Sequence, residues 1–374
     1  MEGTKPRTAS SLGMFDLLKG VGMLLIVFAH TSELYPVGDI STITPVTFFL
    51  FAYRESLMAA FYIASGYGFR KRSIGKCISQ QFKTLFKPYA YTGLATTIAH
   101  FVIHYKTFGN WNNAVYETYK VLGGFVLGLP HTATYFGQEF FSCGPMWYLL
   151  ALMIGWILLD IILNIFPESY IKWAVLGTML LGWGISLVWE APFCIAQGMV
   201  TVPYLYIGFL AKKKRLFEKK FRPLAILGLL AAALGVALGV LLTGKTDCVS
   251  LGEWTMGPVS ILLDGIVGLG FIVLFMKVQR LLYNPVTHLI EAVGRRSLYI
   301  FCIHTVELTA VPWYLMVQKY AAAPTKGLWL QYAVSLGSIF LLCEILLRRR
   351  DVMLKFFPAR RRHFAEHKRY VAKH

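Results

Sequence analysis

The chain is predicted to be an all-α, polytopic membrane protein of about ten transmembrane helices with both termini cytoplasmic. Three observations point that way. Of its 374 residues, 56% are hydrophobic and only 15% charged, and the mean hydropathy is +0.56. Apolar runs of roughly 20 residues recur along the chain, the length that carries a helix across a bilayer with its backbone hydrogen bonds satisfied internally. The cations are also sorted by side. Of 37 Lys and Arg, only Lys106, Lys120, Lys245, Lys319 and Lys326 fall in the outer loops, Lys19 and Arg54 lie within spans, and the rest lie on the cytoplasmic side. An error in the number of upstream spans would scramble that alternation. The net charge of +18 is therefore an orientation signal first, and nucleic-acid binding is not expected.

The first span covers about residues 14–33 and leads into a loop, 33–44, without Lys or Arg. A second runs from Pro45 to Phe69, followed by a basic segment (Arg70, Lys71, Arg72, Lys76, Lys83, Lys87). A third, at about 88–106, carries His100 and His104, and an aromatic-rich loop is expected from there to Ser142. Further spans read at about 144–165, 171–190, 194–211, 222–243, 256–277, 297–316 and 327–347. Residues 1–347 thus form one transmembrane domain and 348–374 a basic cytoplasmic tail suited to anionic lipid. Asp16 and Lys19 interrupt the early apolar run, so no cleavable signal is expected. The six cysteines have no CxxC or metal spacing. Cys143 and Cys248 fall in outer loops where a disulfide is open to them, and unpaired thiols are the simpler expectation.

The first span carries polar groups that membrane depth makes costly. Lys19 and His30 are eleven residues apart, three helical turns plus roughly 20°, so they share one face about 16 Å apart along the axis. Asp16 falls on nearly the same face and can partly neutralise Lys19. Two explanations stand side by side at this point: a site, or a snorkelling lysine with a histidine bonded inside the bundle. In the second span Arg54 and Glu55 are either an interfacial pair or site groups. His304 and Glu307, one turn apart, fit a proton relay or an interhelical hydrogen bond. His100 and His104 lie i,i+4 without a third ligand, which favours polar contacts over a metal. Asp264 is a cavity residue without an assignable role.

Four segments in order resemble one family. They are LLKGVGMLLIVFAH at 17–30, AAFYIASGYGF at 59–69, CGPMWYLLAL at 143–152 and GRRSLYIFCIH at 294–304. Together they are similar to the integral-membrane acyltransferase family 3, and the lysine form of the first motif resembles its fucose O-acetylase-like branch. The resemblance implies an O-acyltransferase of the plasma membrane that moves an acyl group, by default acetyl, from cytoplasmic acyl-CoA to a hydroxyl of a sugar or cell-surface glycan. No metal is implied, and a separate extracytoplasmic partner can complete the transfer. His30 would be the base or transient acyl carrier, with Glu55 orienting it and His304 and Glu307 as a relay. Asp16 and Lys19 would anchor the donor with Ser65, Arg70 and Lys71 near its phosphates, and Trp147 would form a cavity wall. The family's histidine and proline ahead of the second motif are replaced here by Leu57 and Ala59. The alternative is a transporter or flippase for a polysaccharide or lipid-linked intermediate, which the same intramembrane charges would suit.

Overall fold

The computed structural model describes residues 12–35, 45–219, 223–282 and 284–356. Among the described residues the regular structure is helical apart from one small hairpin and an isolated bridge between Cys248 and Glu253. In chain order the helices are α1 (Asp16–Ser32), α2 (Pro45–Ala52), α3 (Arg54–Tyr67), α4 (Ile74–Gln81), α5 (Lys87–Phe108) and α6 (Trp111–Leu127). The hairpin β1 (Ala133–Tyr135) and β2 (Gln138–Phe140) comes next, then α7 (Trp147–Ile165), α8 (Glu168–Val188), α9 (Ile195–Lys213) and α10 (Pro223–Thr243). The chain closes with α11 (Pro258–Leu281), α12 (Pro285–Arg295), α13 (Ser297–Ala310), α14 (Tyr314–Lys319) and α15 (Pro324–Phe356).

Among the described residues seven helices are long and apolar enough to cross a membrane, and Ser297–Ala310 is a shorter apolar one. The expected second span is a helix pair interrupted at Tyr53, and the third is α5, 22 residues long but diluted by Thr, His and Lys. The aromatic-rich segment expected to be a loop contains α6 and the hairpin instead. Local chemistry explains both. Gly109 ends α5 with φ +67, the Asn110 side chain caps α6 by accepting from the Asn113 amide at 3.0 Å, and Gly128 ends it with φ +61. Phe136 and Gly137 turn the hairpin with φ +53 and +75, the left-handed pair of a two-residue β-turn. Between α4 and α5 the helix makes a π turn at Phe82–Phe86, where Pro88 withholds a backbone donor.

Close backbone contacts replace hydrophobic sorting as the cement of such a bundle. Gly66 on α3 and Gly208 on α9 face each other: a Cβ on Gly66 would sit 2.1 Å from the Leu205 carbonyl oxygen, and one on Gly208 would sit 2.0 Å from that of Ile63. A second such pair joins α1 to α12. A Cβ on Gly20 would lie 2.0 Å from the Ile290 oxygen, and one on Gly294 would lie 1.9 Å from the Asp16 oxygen. Helix α12 is amphipathic and starts at a capping box of Asn284 and Thr287 with Pro285 in its first turn. The segment before the ninth span is thus a helix laid against the basic end of α1. Helix α15 continues through residue 348 to Phe356 without a break, and the rest of the basic tail lies outside the described residues, as do residues 36–44 of the first outer loop. All six cysteines are free.

Candidate active site

Helix α1 is unbroken from Asp16 to Ser32, so Lys19 and His30 keep their shared face. At its far end the His30 ring lies against that of His304, with centroids 5.6 Å apart. Each imidazole has its own carboxylate. His304 Nδ1 is 3.2 Å from Glu307 Oε2, and the Ser335 hydroxyl of α15 donates to the other Glu307 oxygen at 2.7 Å. His30 Nδ1 makes a longer contact, 3.4 Å, with Glu33 Oε2. Glu33 in turn accepts from Arg54 at 2.9 Å. A carboxylate at Nδ1 places the ring proton there and leaves Nε2 with the lone pair. In that tautomer Nε2 of each ring is a proton acceptor.

The two imidazoles are not equivalent. His304 is 1% exposed and His30 30%, so of the two rings His30 is the accessible one. His304 Nε2 is buried and has no protein partner among the described residues. A buried ring nitrogen without a bond is costly. Beneath the pair lies an aromatic wall: Tyr148 sits 6.1 Å from Phe301, one turn below His304, and 4.7 Å from Tyr62. Trp147 begins α7 beside Tyr148, buried in this same core.

Glu55 does not reach His30. It pairs with Arg54 at 3.5 Å, accepts a hydrogen bond from the Val249 backbone and lies in the field of Asp247 and Glu33. The carboxylate on His30 is Glu33, at the start of the expected loop, where it stands at i+3 from His30 as the C-cap of α1. Ser335 is the other group that sequence reasoning misses, and nothing local to it signals a partner 28 residues away. Asp264 takes a 2.5 Å hydrogen bond from the Ser56 hydroxyl. His100 and His104 bond through ring nitrogens to Thr118 at 2.9 Å and Asn113 at 3.0 Å, both on α6.

Glu33 lies just past the end of α1. Burial works to raise its pKa, but the His30 hydrogen bond and the charges of His30 and Arg54 outweigh that and hold it below the usual carboxylate range. A carboxyl lowered on folding contributes stability that is complete above its unfolded value, about 4.3, and is lost as pH falls through the lower folded value. Wild-type protein should therefore lose more thermal stability than Glu33→Gln on acidification below about pH 4. Parallel melting curves for the two would refute the pairing.

At the basic end, Lys19 is half-buried in the field of the Asp16 carboxylate, while Asp16 also meets Arg295 at 3.8 Å. Arg295 is shared with Glu291 at 3.6 Å, and Gln279 of α11 donates to Glu291 at 2.7 Å. Between Lys19 and His30 the same face carries Met23 and Val27, both in the core. Ser65 is half-buried on α3, beside the Gly66 contact, and Arg70 and Lys71 are exposed where the chain leaves that helix. The next residue, Arg72, gives its backbone amide to Asp160 of α7 at 3.0 Å. The structure thus gathers His30, His304 and Glu307 at one end and Asp16 and Lys19 at the other, and it links Glu55 to His30 through Arg54 and Glu33 rather than directly.

Comparison with characterised proteins and with solved structures gives no match. The family comparison does: residues 13–348 match the model of the acyltransferase domain Acyl_transf_3. With nearly the whole chain covered and helices able to span a bilayer, the protein belongs to acyltransferase family 3 and is a multi-pass membrane acyltransferase.

Proposed function

We propose that the protein is an O-acyltransferase of the plasma membrane that takes an acyl group, acetyl by default, from cytoplasmic acyl-CoA and delivers it to a hydroxyl of a sugar or cell-surface glycan. The observation that carries this reading is the meeting of His30 and His304, each with a carboxylate at Nδ1. In the direct route, Nε2 of His30 removes the acceptor hydroxyl proton as that oxygen attacks the thioester carbonyl. The C–S bond then breaks, and the imidazolium returns its proton to the departing CoA thiolate. In the two-step route His30 itself takes the acyl group before the acceptor does. Glu33 stabilises the imidazolium in either case, and Arg54 holds Glu33 in place.

The donor's phosphates belong at the basic end, with Lys19 as a charge-assisted donor. Met23 and Val27 fill the direct line to His30. A pantetheine arm therefore displaces them or passes along the flank of α1, where Leu25, Ile26 and Ala29 open onto an apolar cavity of about 230 Å³. On the outer side a cleft of about 440 Å³ sets Trp183 and Trp254 among Thr243, Thr255 and Glu253. Flat indole faces beside hydroxyls and a carboxylate suit a sugar ring, which favours a glycan acceptor.

The test uses vesicles loaded with labelled acetyl-CoA. Release of CoA together with label on an external acceptor supports the reading, while a transporter gives neither. In the same assay Lys19→Ala should raise KM for the donor by about tenfold or more, the worth of one charge-assisted hydrogen bond, and leave kcat close to wild type. A fall in kcat alone, with donor affinity intact, would remove Lys19 from donor binding.

A further inference from the structure

Away from the imidazole pair, at the basic end between the start of α10 and the end of α11, lies a cavity of about 350 Å³. Phe217, Ile226 and Met276 wall it, and Lys219, Lys277 and Arg280 rim it. Lys277 and Arg280 stand i,i+3 on one face of α11, and Lys219 enters from the segment ahead of α10. Among the described residues none of the three cations forms an ion pair. Three cations round one slot normally recruit counter-charge, so the slot wants an anion.

Its place in the fold says which anion. Helix α10 is peripheral, with only 22% of its span buried, and Leu224, Leu227 and Leu230 are exposed along it. An apolar stripe therefore runs from the slot towards the bilayer core. The volume falls at the low end of the range for small-molecule sites, about 300–1,000 Å³, enough for a headgroup and its first methylenes. The slot is also separated from the donor end of α1 by a layer of aromatic packing, since Phe217 stacks edge-on against Phe15 at 6.3 Å.

We propose that this slot binds an anionic phospholipid of the cytoplasmic leaflet, its phosphate among Lys219, Lys277 and Arg280 and its acyl chains along the leucine face of α10. Basic recesses between membrane helices at this level recognise anionic headgroups. Seated there, the lipid presses on Phe217 and through it on Phe15, the residue just ahead of Asp16 and Lys19, so it braces the basic end of α1.

The experiment is native mass spectrometry of the purified full chain in micelles doped with dioleoyl phosphatidylglycerol or dioleoyl phosphatidylcholine. Wild type should retain phosphatidylglycerol in preference to phosphatidylcholine. The combined Lys219→Gln, Lys277→Gln, Arg280→Gln variant should lose affinity for phosphatidylglycerol on the order of a hundredfold without changing its weak phosphatidylcholine binding. A control that neutralises Lys76, Lys172 and Lys214, cations of the same side outside the slot, should bind as wild type does. If the triple variant fails to fold, Arg280→Gln is read against Arg280→Lys, and only the first should weaken binding. Equal losses in slot and control variants would reduce the effect to general surface charge and overturn the site. Unchanged phosphatidylglycerol binding in the slot variants would do the same, as would displacement of the lipid by an equal concentration of CoA, which would make the slot a nucleotide site.

Discussion

Alanine at His30 should lower acyl transfer by about 10²- to 10⁴-fold, the range that a positioned general acid–base contributes, while the protein still folds and inserts. The imidazole fills no tight core position: it is 30% exposed and contacts Glu33 and the His304 ring, so its removal leaves no large buried cavity. His304→Ala should cost activity as well, but with a loss of stability, because His304 is buried and its removal leaves the second Glu307 oxygen without its ring partner, with only the Ser335 bond to the first remaining. The pair of variants thus separates chemistry from support. The readouts are transfer in acetyl-CoA-loaded vesicles and melting temperature in detergent. Wild-type turnover in His30→Ala would take that residue out of the reaction. Rapid quench of wild type distinguishes the two routes, since an acyl-imidazole accumulates only if His30 carries the group.

Gly20→Val should be the most damaging substitution away from the imidazoles. Its new Cβ would lie 2.0 Å from a backbone oxygen of α12, an atom that cannot swing aside as a side chain can, so the two helices must part. Overpacking of a well-fitted contact costs about 1–3 kcal/mol, occasionally more, and here a whole helix has to move. Parting α1 from α12 also breaks the Asp16–Arg295 contact, so donor affinity should fall together with stability. Gly294→Val should behave alike, because its Cβ would meet the Asp16 oxygen at 1.9 Å from the other side. Gly177→Ala on α8, where nothing lies within 4 Å, is the counter-case. It should be neutral or stabilise by roughly 0.5–1 kcal/mol through reduced backbone entropy. Equal melting temperatures for Gly20→Val and wild type would mean that the α1–α12 contact is not tight.

Much of the bundle could be read from the chain because membrane helices write their own local signature. Twenty apolar residues with charged flanks announce a crossing whatever surrounds them, and the helical repeat alone put Lys19 with His30 and His304 with Glu307. The same rule finds α5 at the expected third span but reaches its limit at α6, where polar residues and aromatics mask a helix that reads as a loop. The caps at Asn110 and Gly109 were the available local signal for that turn.

From its own order of residues, then, the chain determined a helical membrane protein, the face of α1 that carries a cation and an imidazole, and the motifs of its family. Tertiary structure alone decided that His30 meets His304 rather than Glu55, that Ser335 steadies Glu307, and that α12 covers the basic end of α1. Periodicity fixes which side of a helix a residue occupies. It is silent on which helix lies opposite, because that depends on where small residues such as Gly20 and Gly294 let two backbones touch.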